Sequence, residues 1–223
     1  MLPCFFASDN ATNPVRSAMV LVFSDISPKN PDYGYEEGTP IGRFYLNRCM
    51  HSLCNQITGR VLEFGWPTYA AKASCTYELI DINPSNPRAH IVGDICDTNL
   101  AERYKDRYDW IICTAVLHCA KDPFVAVDNM YRMLRSGGHL VLAQQAASRM
   151  DPSANESDFW RFTPWGLRRL VERYSSVEVQ TFGNVYVLCA YLYGIPAEQI
   201  DADKLEYVDS NFPLITVVHA VKT

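Results

Sequence analysis

The 223-residue chain has no excess of positive charge: 20 lysines and arginines stand against 25 aspartates and glutamates, for a formal net charge of −5, and no long basic run interrupts that balance. An electrostatic footprint for nucleic acid is therefore missing from the sequence as a whole, and no nucleic-acid partner is expected. No apolar run reaches membrane-spanning length, so no membrane partner is expected either. The first residues, Met1 to Ala7, are apolar but interrupted by Pro3, and they lack the basic start and long apolar core of a secretory signal. There is no CxxC pair among the eight cysteines. The one tight grouping, Cys49 to Cys54 with His51 between them, has no second ligand cluster at zinc spacing, so no metal is expected. A chain of this size does not need a disulfide scaffold. Cys113 and Cys189 sit inside apolar runs like small buried hydrophobes, which points to a reduced, cytoplasmic setting. No internal repeat or low-complexity tract is visible.

What the chain does have is 48% apolar residues, enough for one domain with a sizeable core and too little length for two. That domain is read as residues 38–223, preceded by an N-terminal extension, 1–37, rich in Pro, Asn, Asp and Ser. The extension holds one apolar run, Ala18 to Phe23, which fits a strand or a helix turn equally well. From Thr39-Pro40 the spacing predicts a helix over Ile41 to Leu53. Two short apolar runs follow, Arg60 to Gly65 and Tyr77 to Ile82, each ending at a carboxylate or glycine as buried parallel strands do at a ligand crevice. Strands are also expected at His90–Val92, Tyr108–Thr114, His139–Ala143, Val177–Phe182 and Leu214–Val221. Helices are expected from Asn99 to Arg107, from Asp122 to Leu134 with Gly137-Gly138 as a left-handed cap, from Pro164 to Arg173 behind Thr163, and over Val185 to Gly194. Strand and helix alternate as a parallel α/β sheet demands.

The acids at the strand ends carry the functional argument. Glu63 and Gly65 close the first strand, Asp81 closes the second, and Asp94 follows the third. Ligands of open α/β sheets sit beyond the carboxyl ends of the strands, where an acid ending the second strand can accept from both ribose hydroxyls of a nucleotide. Each such acid has a plainer reading as a turn former or helix cap, but three in succession are harder to dismiss. At these residues the chain resembles the class I S-adenosylmethionine-dependent methyltransferases, whose first motif runs roughly ExGxGxG. Glu63 and Gly65 match it, while Pro67 and Tyr69 hold the later glycine positions. The resemblance implies a Rossmann-like α/β fold: a mostly parallel seven-stranded sheet, its last strand antiparallel, with helices on both faces. It also implies S-adenosylmethionine as cofactor. Asp81 would then take the ribose and Asp94 the adenine amine, with Ile82 and Ile95 sandwiching the ring. Glu63 and the backbone near Thr114 would hold the amino-acid end, and the Ile41 helix would cover the cofactor.

Further runs resemble a subgroup of methyltransferase-domain proteins associated with glycosyltransferase and polysaccharide pathways: Gly38 to Tyr45, Asp158 to Pro164, Phe182 to Val185, Tyr191 to Gly194 and Phe212 to Val218. The expected reaction is methyl transfer to a small polar acceptor, at a hydroxyl, with a sugar or glycosylated metabolite suggested by resemblance alone. Methyl transfer needs in-line placement, and a base that removes the hydroxyl proton helps further. His118, four residues beyond Thr114 at the mouth of the crevice, is the first choice for that base; the alternative is a histidine without a catalytic role. His51, His90, His139 and His219 fall inside predicted helix or strand runs and read as structural. Trp160 and Arg161 lie on the side where acceptors enter, and Arg161 either binds an acidic acceptor or pairs with a structural carboxylate. Arg43 and Tyr45 either close over the ligands or serve as a solvated face and a core aromatic. Two rivals stand beside this reading: a protein of the same fold with other chemistry on a small metabolite, and a silent binding subunit. The oligomeric state, homodimer included, is left open.

Overall fold

A computed structural model describes residues 25–152 and 154–223, so the Ala18–Phe23 run lies outside the described residues. Seven strands form one sheet: β1 (Thr58–Phe64), β2 (Ser74–Asp81), β3 (Ile91–Val92), β4 (Tyr108–Thr114), β5 (Leu134–Gln145), β6 (Ser176–Phe182) and β7 (Ile215–Val221). Their order is β3-β2-β1-β4-β5-β7-β6. The pairs among β1 to β5 are parallel, and β7 runs antiparallel to both β5 and β6.

The central strands are apolar on both sides because both faces are covered. Successive side chains of a strand point to opposite faces. Accordingly Leu62, Ile111, Cys113, Leu140 and Leu142 enter one core, beneath helices α2 (Thr98–Arg103), α3 (Pro123–Met133) and α4 (Pro164–Leu170). Val61, Trp110, Ile112, Val141 and Ala143 enter the other, beneath α1 (Ile41–Leu53) and α5 (Val185–Tyr193). A short helix, α6 (Ala202–Glu206), adds Leu205 to that second core. Fully burying an isoleucine such as Ile111 or Ile112 stabilises by roughly 1.5–3 kcal/mol relative to exposure, so the middle of the sheet carries much of the driving force. Helix α1 buries Ile41, Tyr45, Leu46, Cys49 and Met50, one stripe at helical spacing. No helix among the described residues is long and apolar enough to cross a membrane.

Capping explains several helix starts. Asp122 accepts from the amides of Phe124 (2.9 Å) and Val125 (3.1 Å) with Pro123 behind it, and Thr163 accepts from the amide of Gly166 at 3.1 Å. Helix ends differ from expectation. Helix α2 stops at Arg103 because Asp106, at φ 51°, reverses the chain ahead of β4, and α4 stops at Leu170 with a tightened turn from the Val171 amide to Arg168. Gly137-Gly138 is not the cap of α3. The helix ends at Met133, and Leu134 is already extended and paired with Tyr108. Gly137, at φ 75°, lies within β5, where the register against β4 jumps from Tyr108↔Leu134 to Trp110↔His139. A left-handed glycine here makes a bulge in the strand.

Residues 25–40 pack against the end of α5. The Lys29 amide donates to the Tyr193 carbonyl at 2.8 Å, Tyr33 stacks on Tyr191 with ring centroids 4.4 Å apart, and Pro40 bridges Pro196. The strand order reverses between β1 and β4, and the crevice at this switch point opens where the parallel strands end.

Candidate functional site

Two cavities lie at these strand ends, and the first is assembled from β1, β2 and β3. It measures about 130 Å³ and is lined by Gly65, Asp81, Ile82, Asp94, Ile95 and Val116 among others. Gly65 adopts φ 72° and donates its amide to the Ile80 carbonyl at 2.9 Å, which turns the chain off β1 in a conformation that disfavours a side chain. A Cβ there would meet nothing within 4 Å, so the space beside it is open. One oxygen of Asp81 accepts from the Asn83 amide at 2.9 Å, and the other from the Asn86 side-chain amide at 2.7 Å. The same Asn86 nitrogen donates to the Gly65 carbonyl at 3.1 Å, tying the loops after β1 and β2 together. Asp94 accepts from the Cys96 amide at 2.8 Å through one oxygen. Ile82 is exposed and Ile95 buried, so both offer apolar surface to this cavity from different depths.

Glu63 does something other than expected. It is only 2% exposed, and its carboxylate accepts from the amides of Thr68 (3.2 Å), Tyr69 (3.0 Å) and Ala70 (2.9 Å). Burial pushes its pKa up while the three amides pull it back, with burial the larger effect. The carboxylate thus braces its own loop and lies in the lining of neither cavity. That internal staple also shows how the loop folds with Pro67 and Tyr69 in place of glycines. Its donors come from residues 68–70, so the missing proline N–H costs nothing. The Tyr69 ring turns into the α1 face, where its hydroxyl meets Arg43 and Asn47, both at 3.1 Å. Trp66 is 58% exposed beneath the Arg88 guanidinium. Neither ring plugs the crevice.

Tyr45 is likewise corrected. It is fully buried, its ring stacks on Phe182, and its hydroxyl donates to the Leu205 carbonyl at 2.7 Å. It is a core aromatic with no surface to offer a substrate. Arg43 pairs with Tyr69 and Tyr35.

The second cavity, of about 210 Å³, lies at the ends of β4 and β5, lined by Tyr33, Ala115, His118, Gln144, Asp151 and Tyr191 among others. Thr114 ends β4 opposite Ala143 and lies in the lining of neither cavity. Ala115 then takes φ 53°, unusual for a residue with a side chain, while its amide donates to the Ala143 carbonyl at 2.9 Å. This sharp turn makes residues 115–119 a wall between the cavities: Ala115 and His118 line the second, Val116 and Cys119 the first. His118 is largely enclosed, with Nε2 3.6 Å from Asp151 Oδ2. Its carbonyl accepts from the amides of Phe159 (2.8 Å) and Trp160 (3.1 Å), and the Trp160 indole N–H donates to the Ala120 carbonyl at 2.8 Å. Trp160, expected to meet substrate, lies in the lining of neither cavity and instead clamps the His118 loop.

Arg161 does line the second cavity, but its guanidinium is held by Asp158, at 2.5 Å and 2.9 Å, and by the Arg149 carbonyl at 2.7 Å. Of its two readings, the structural pairing is the one found. The Arg161 guanidinium keeps the Asp158 carboxyl down at about 2, and Asp158 in turn accepts from the Asp151 amide at 2.7 Å. Arg149 pairs with Asp32 at 2.5 Å and lies over the Tyr33 ring. Both cations beside the cavity are therefore matched by carboxylates.

Sequence reasoning missed Gln144, Asp151, Tyr33 and Tyr191. Gln144 is 1% exposed, and its Nε2 has no hydrogen-bond partner among the described residues although the side chain lines the cavity. A buried donor left unpaired costs roughly 1–3 kcal/mol, a cost that a ligand with an acceptor atom removes. The signal was available: Gln144 is the polar residue ending an apolar strand, as Asp81 is.

A family profile described as a methyltransferase domain matches residues 41–185. No curated protein sequence matches the chain. Among solved structures, the chain is similar to an S-adenosylmethionine-dependent methyltransferase from Archaeoglobus fulgidus, at 13% identity over 81% of this chain and 94% of that one, with a TM-score of 0.54. It is similar to a possible histamine N-methyltransferase from Thermotoga maritima, at 18% identity over 85% and 95% with a TM-score of 0.56. Phosphoethanolamine N-methyltransferase 2 of Haemonchus contortus, solved with S-adenosyl-L-methionine, matches at 14% identity over 89% of this chain and 54% of that one, TM-score 0.54. At these identities the likeness is one of fold. The profile spans the greater part of the chain, including β1 to β6 and the 115–119 segment between the cavities, and the chain belongs to the methyltransferase-domain family.

Proposed function

We propose that this protein moves a methyl group from S-adenosylmethionine to a hydroxyl of a small uncharged acceptor, a sugar or glycosylated metabolite, with His118 as the base. The observation that carries the reading is that Asp81 and Asp94 meet at one cavity by the sheet's switch point, with a second cavity at the neighbouring strand ends. The first cavity offers the groups a nucleoside needs: Asp81 for the ribose hydroxyls, Asp94 for the adenine amine, Ile82 and Ile95 for the faces of the ring, and open space beside Gly65. The solved Haemonchus contortus relative carries S-adenosyl-L-methionine on a similar fold, which supports the same donor here. When bound, that cofactor supplies an electrophilic methyl group. The family membership supports transferase chemistry as such.

The residues of the second cavity serve the acceptor. The unpaired Gln144 Nε2 donates to an acceptor oxygen and orients it, which is where much of the acceleration of an in-line transfer arises. His118 Nε2 takes the hydroxyl proton, and the Asp151 carboxylate 3.6 Å away faces the positive charge that results. Because Arg149 and Arg161 are matched by Asp32 and Asp158, no spare cation lines this cavity among the described residues, which favours a neutral acceptor. Resemblance of the Asp158–Pro164 and Phe182–Val185 runs to polysaccharide-pathway proteins supports a sugar. The seven cysteines among the described residues are free, which fits a cytoplasmic setting.

Calorimetry with S-adenosylhomocysteine tests the donor site. Micromolar binding is expected, weakened at least tenfold in Asp81→Ala. Absence of binding to the wild-type chain sinks the proposal.

A further inference from the structure

We propose that His118, Cys119 and Asp151 form a binding site for a divalent ion of the zinc class, set into the wall between the two cavities. The imidazole nitrogen, the thiol sulfur and a carboxylate oxygen all lie within 4.8 Å of one another. His118 Nε2 and Asp151 Oδ2 are 3.6 Å apart. That is too far for a good N–H···O hydrogen bond, whose limit is about 3.2 Å. It is close to the edge of a tetrahedron, about 3.3 Å, for two ligand atoms each ~2 Å from one zinc ion. The pair is thus spaced more like two ligands of an ion than like donor and acceptor.

The donor set selects the metal. One sulfur, one imidazole nitrogen and one carboxylate suit a borderline-soft ion, whereas magnesium and calcium prefer oxygen throughout. Three protein ligands leave a fourth position open, and the cavity lined by His118 and Asp151 borders the site.

The backbone carrying the ligands is already fixed, as metal sites require of their supporting contacts. The His118 carbonyl is held by the Phe159 and Trp160 amides, and the loop just beyond it by the Trp160 indole on the Ala120 carbonyl. The Asp151 amide is held by Asp158, itself clamped by Arg161. The remaining adjustment is side-chain rotation, with the Cys119 proton leaving to solvent as the sulfur–metal bond forms. An ion bound here takes the Nε2 lone pair. On the proposed base role of His118, occupancy therefore blocks proton transfer, and the metal acts as an inhibitor.

Cobalt(II) titrated into the full chain tests the site without any turnover assay. One equivalent is expected to give the intense visible bands of a four-coordinate ion together with a near-ultraviolet thiolate-to-cobalt charge-transfer band, both bleached by zinc. Cys119→Ser is expected to lose the charge-transfer band, Asp151→Asn to bind at least tenfold more weakly, and Cys54→Ser to match the wild type. No charge-transfer band, or one that survives in Cys119→Ser, overturns the proposal. Should Cys119→Ser not fold, alkylation of the wild-type chain decides: zinc must protect Cys119 from iodoacetamide, and unprotected labelling refutes the site. Binding of S-adenosylhomocysteine is read separately, so failure of the metal site leaves the donor reading standing.

Discussion

Asp158→Ala is the substitution with the most to reveal about the second cavity. The Asp158 side chain is wholly buried, while Arg161 keeps a quarter of its side chain in contact with solvent. Truncation removes two charge-assisted bonds from Arg161, at 2.5 Å and 2.9 Å, and the 2.7 Å bond to the Asp151 amide. Breaking a buried ion pair by deleting one partner costs roughly 3–5 kcal/mol. Arg161 retains the Arg149 and Trp160 carbonyls as acceptors and has some access to water, so the lower end, about 3 kcal/mol, applies. For a chain of this length that corresponds to a fall in Tm of about 6–12 °C. Thermal unfolding of Asp158→Ala, Arg161→Ala and the double variant measures it, and the double variant should be more stable than the sum of the singles predicts. Calorimetry with S-adenosylhomocysteine should give near wild-type affinity, because Asp158 supports the loop over the second cavity and lies outside the lining of the first. A Tm within about 2 °C of wild type, under 1 kcal/mol, would refute the reasoning, since the pair would then be acting as a solvated surface contact.

Two further outcomes follow from contacts already described. Asn86→Ala should weaken S-adenosylhomocysteine binding about five- to tenfold, the equivalent of one hydrogen bond near 1 kcal/mol, because Asp81 loses the amide that orients it; tighter binding would mean that Asn86 competes with the ribose. His139 and His219 touch at 3.0 Å and stack beside Trp110, and burial depresses both their pKa values; in His139 its neighbour adds to this, and in His219 Glu178 opposes it. The unfolded chain therefore binds more protons than the folded one, so stability is fully present above the ordinary histidine pKa, ~6.5, and falls as acid titrates through the depressed values. Urea unfolding should show this loss on going from about pH 7.5 to 5.5, and a flat profile would contradict it.

Much of the sheet was legible because a buried strand announces itself locally. Tyr108–Thr114 and Ile41–Leu53 have the bounds that periodicity alone predicts, and Asp81 and Asp94 do meet at one cavity. The loop-bracing contacts of Glu63 were not legible because an acid at a strand end looks the same from the sequence whether it turns outward to a ligand or inward to three amides of its own loop. Tyr45 belongs to the stripe that α1 buries, and that stripe was visible; what was not visible is which face of the sheet covers it. Tyr33 and Asp151 reach the second cavity from segments more than a hundred residues apart, through loops whose paths local pattern does not encode. Gly137 reads as a helix cap by position and becomes a strand bulge only because β5 must match β4.

Residues 115–119 give Ala115 and His118 to one cavity and Val116 and Cys119 to the other, so neighbouring residues of one short segment shape both surfaces. An occupant that shifts Val116 and Cys119 also resets Ala115 and His118 for whatever arrives next door. Any factor by which the donor sharpens affinity for the acceptor must then reappear, equal in size, as the factor by which the acceptor retains the donor. Order of loading and order of product departure would be written into the same five residues.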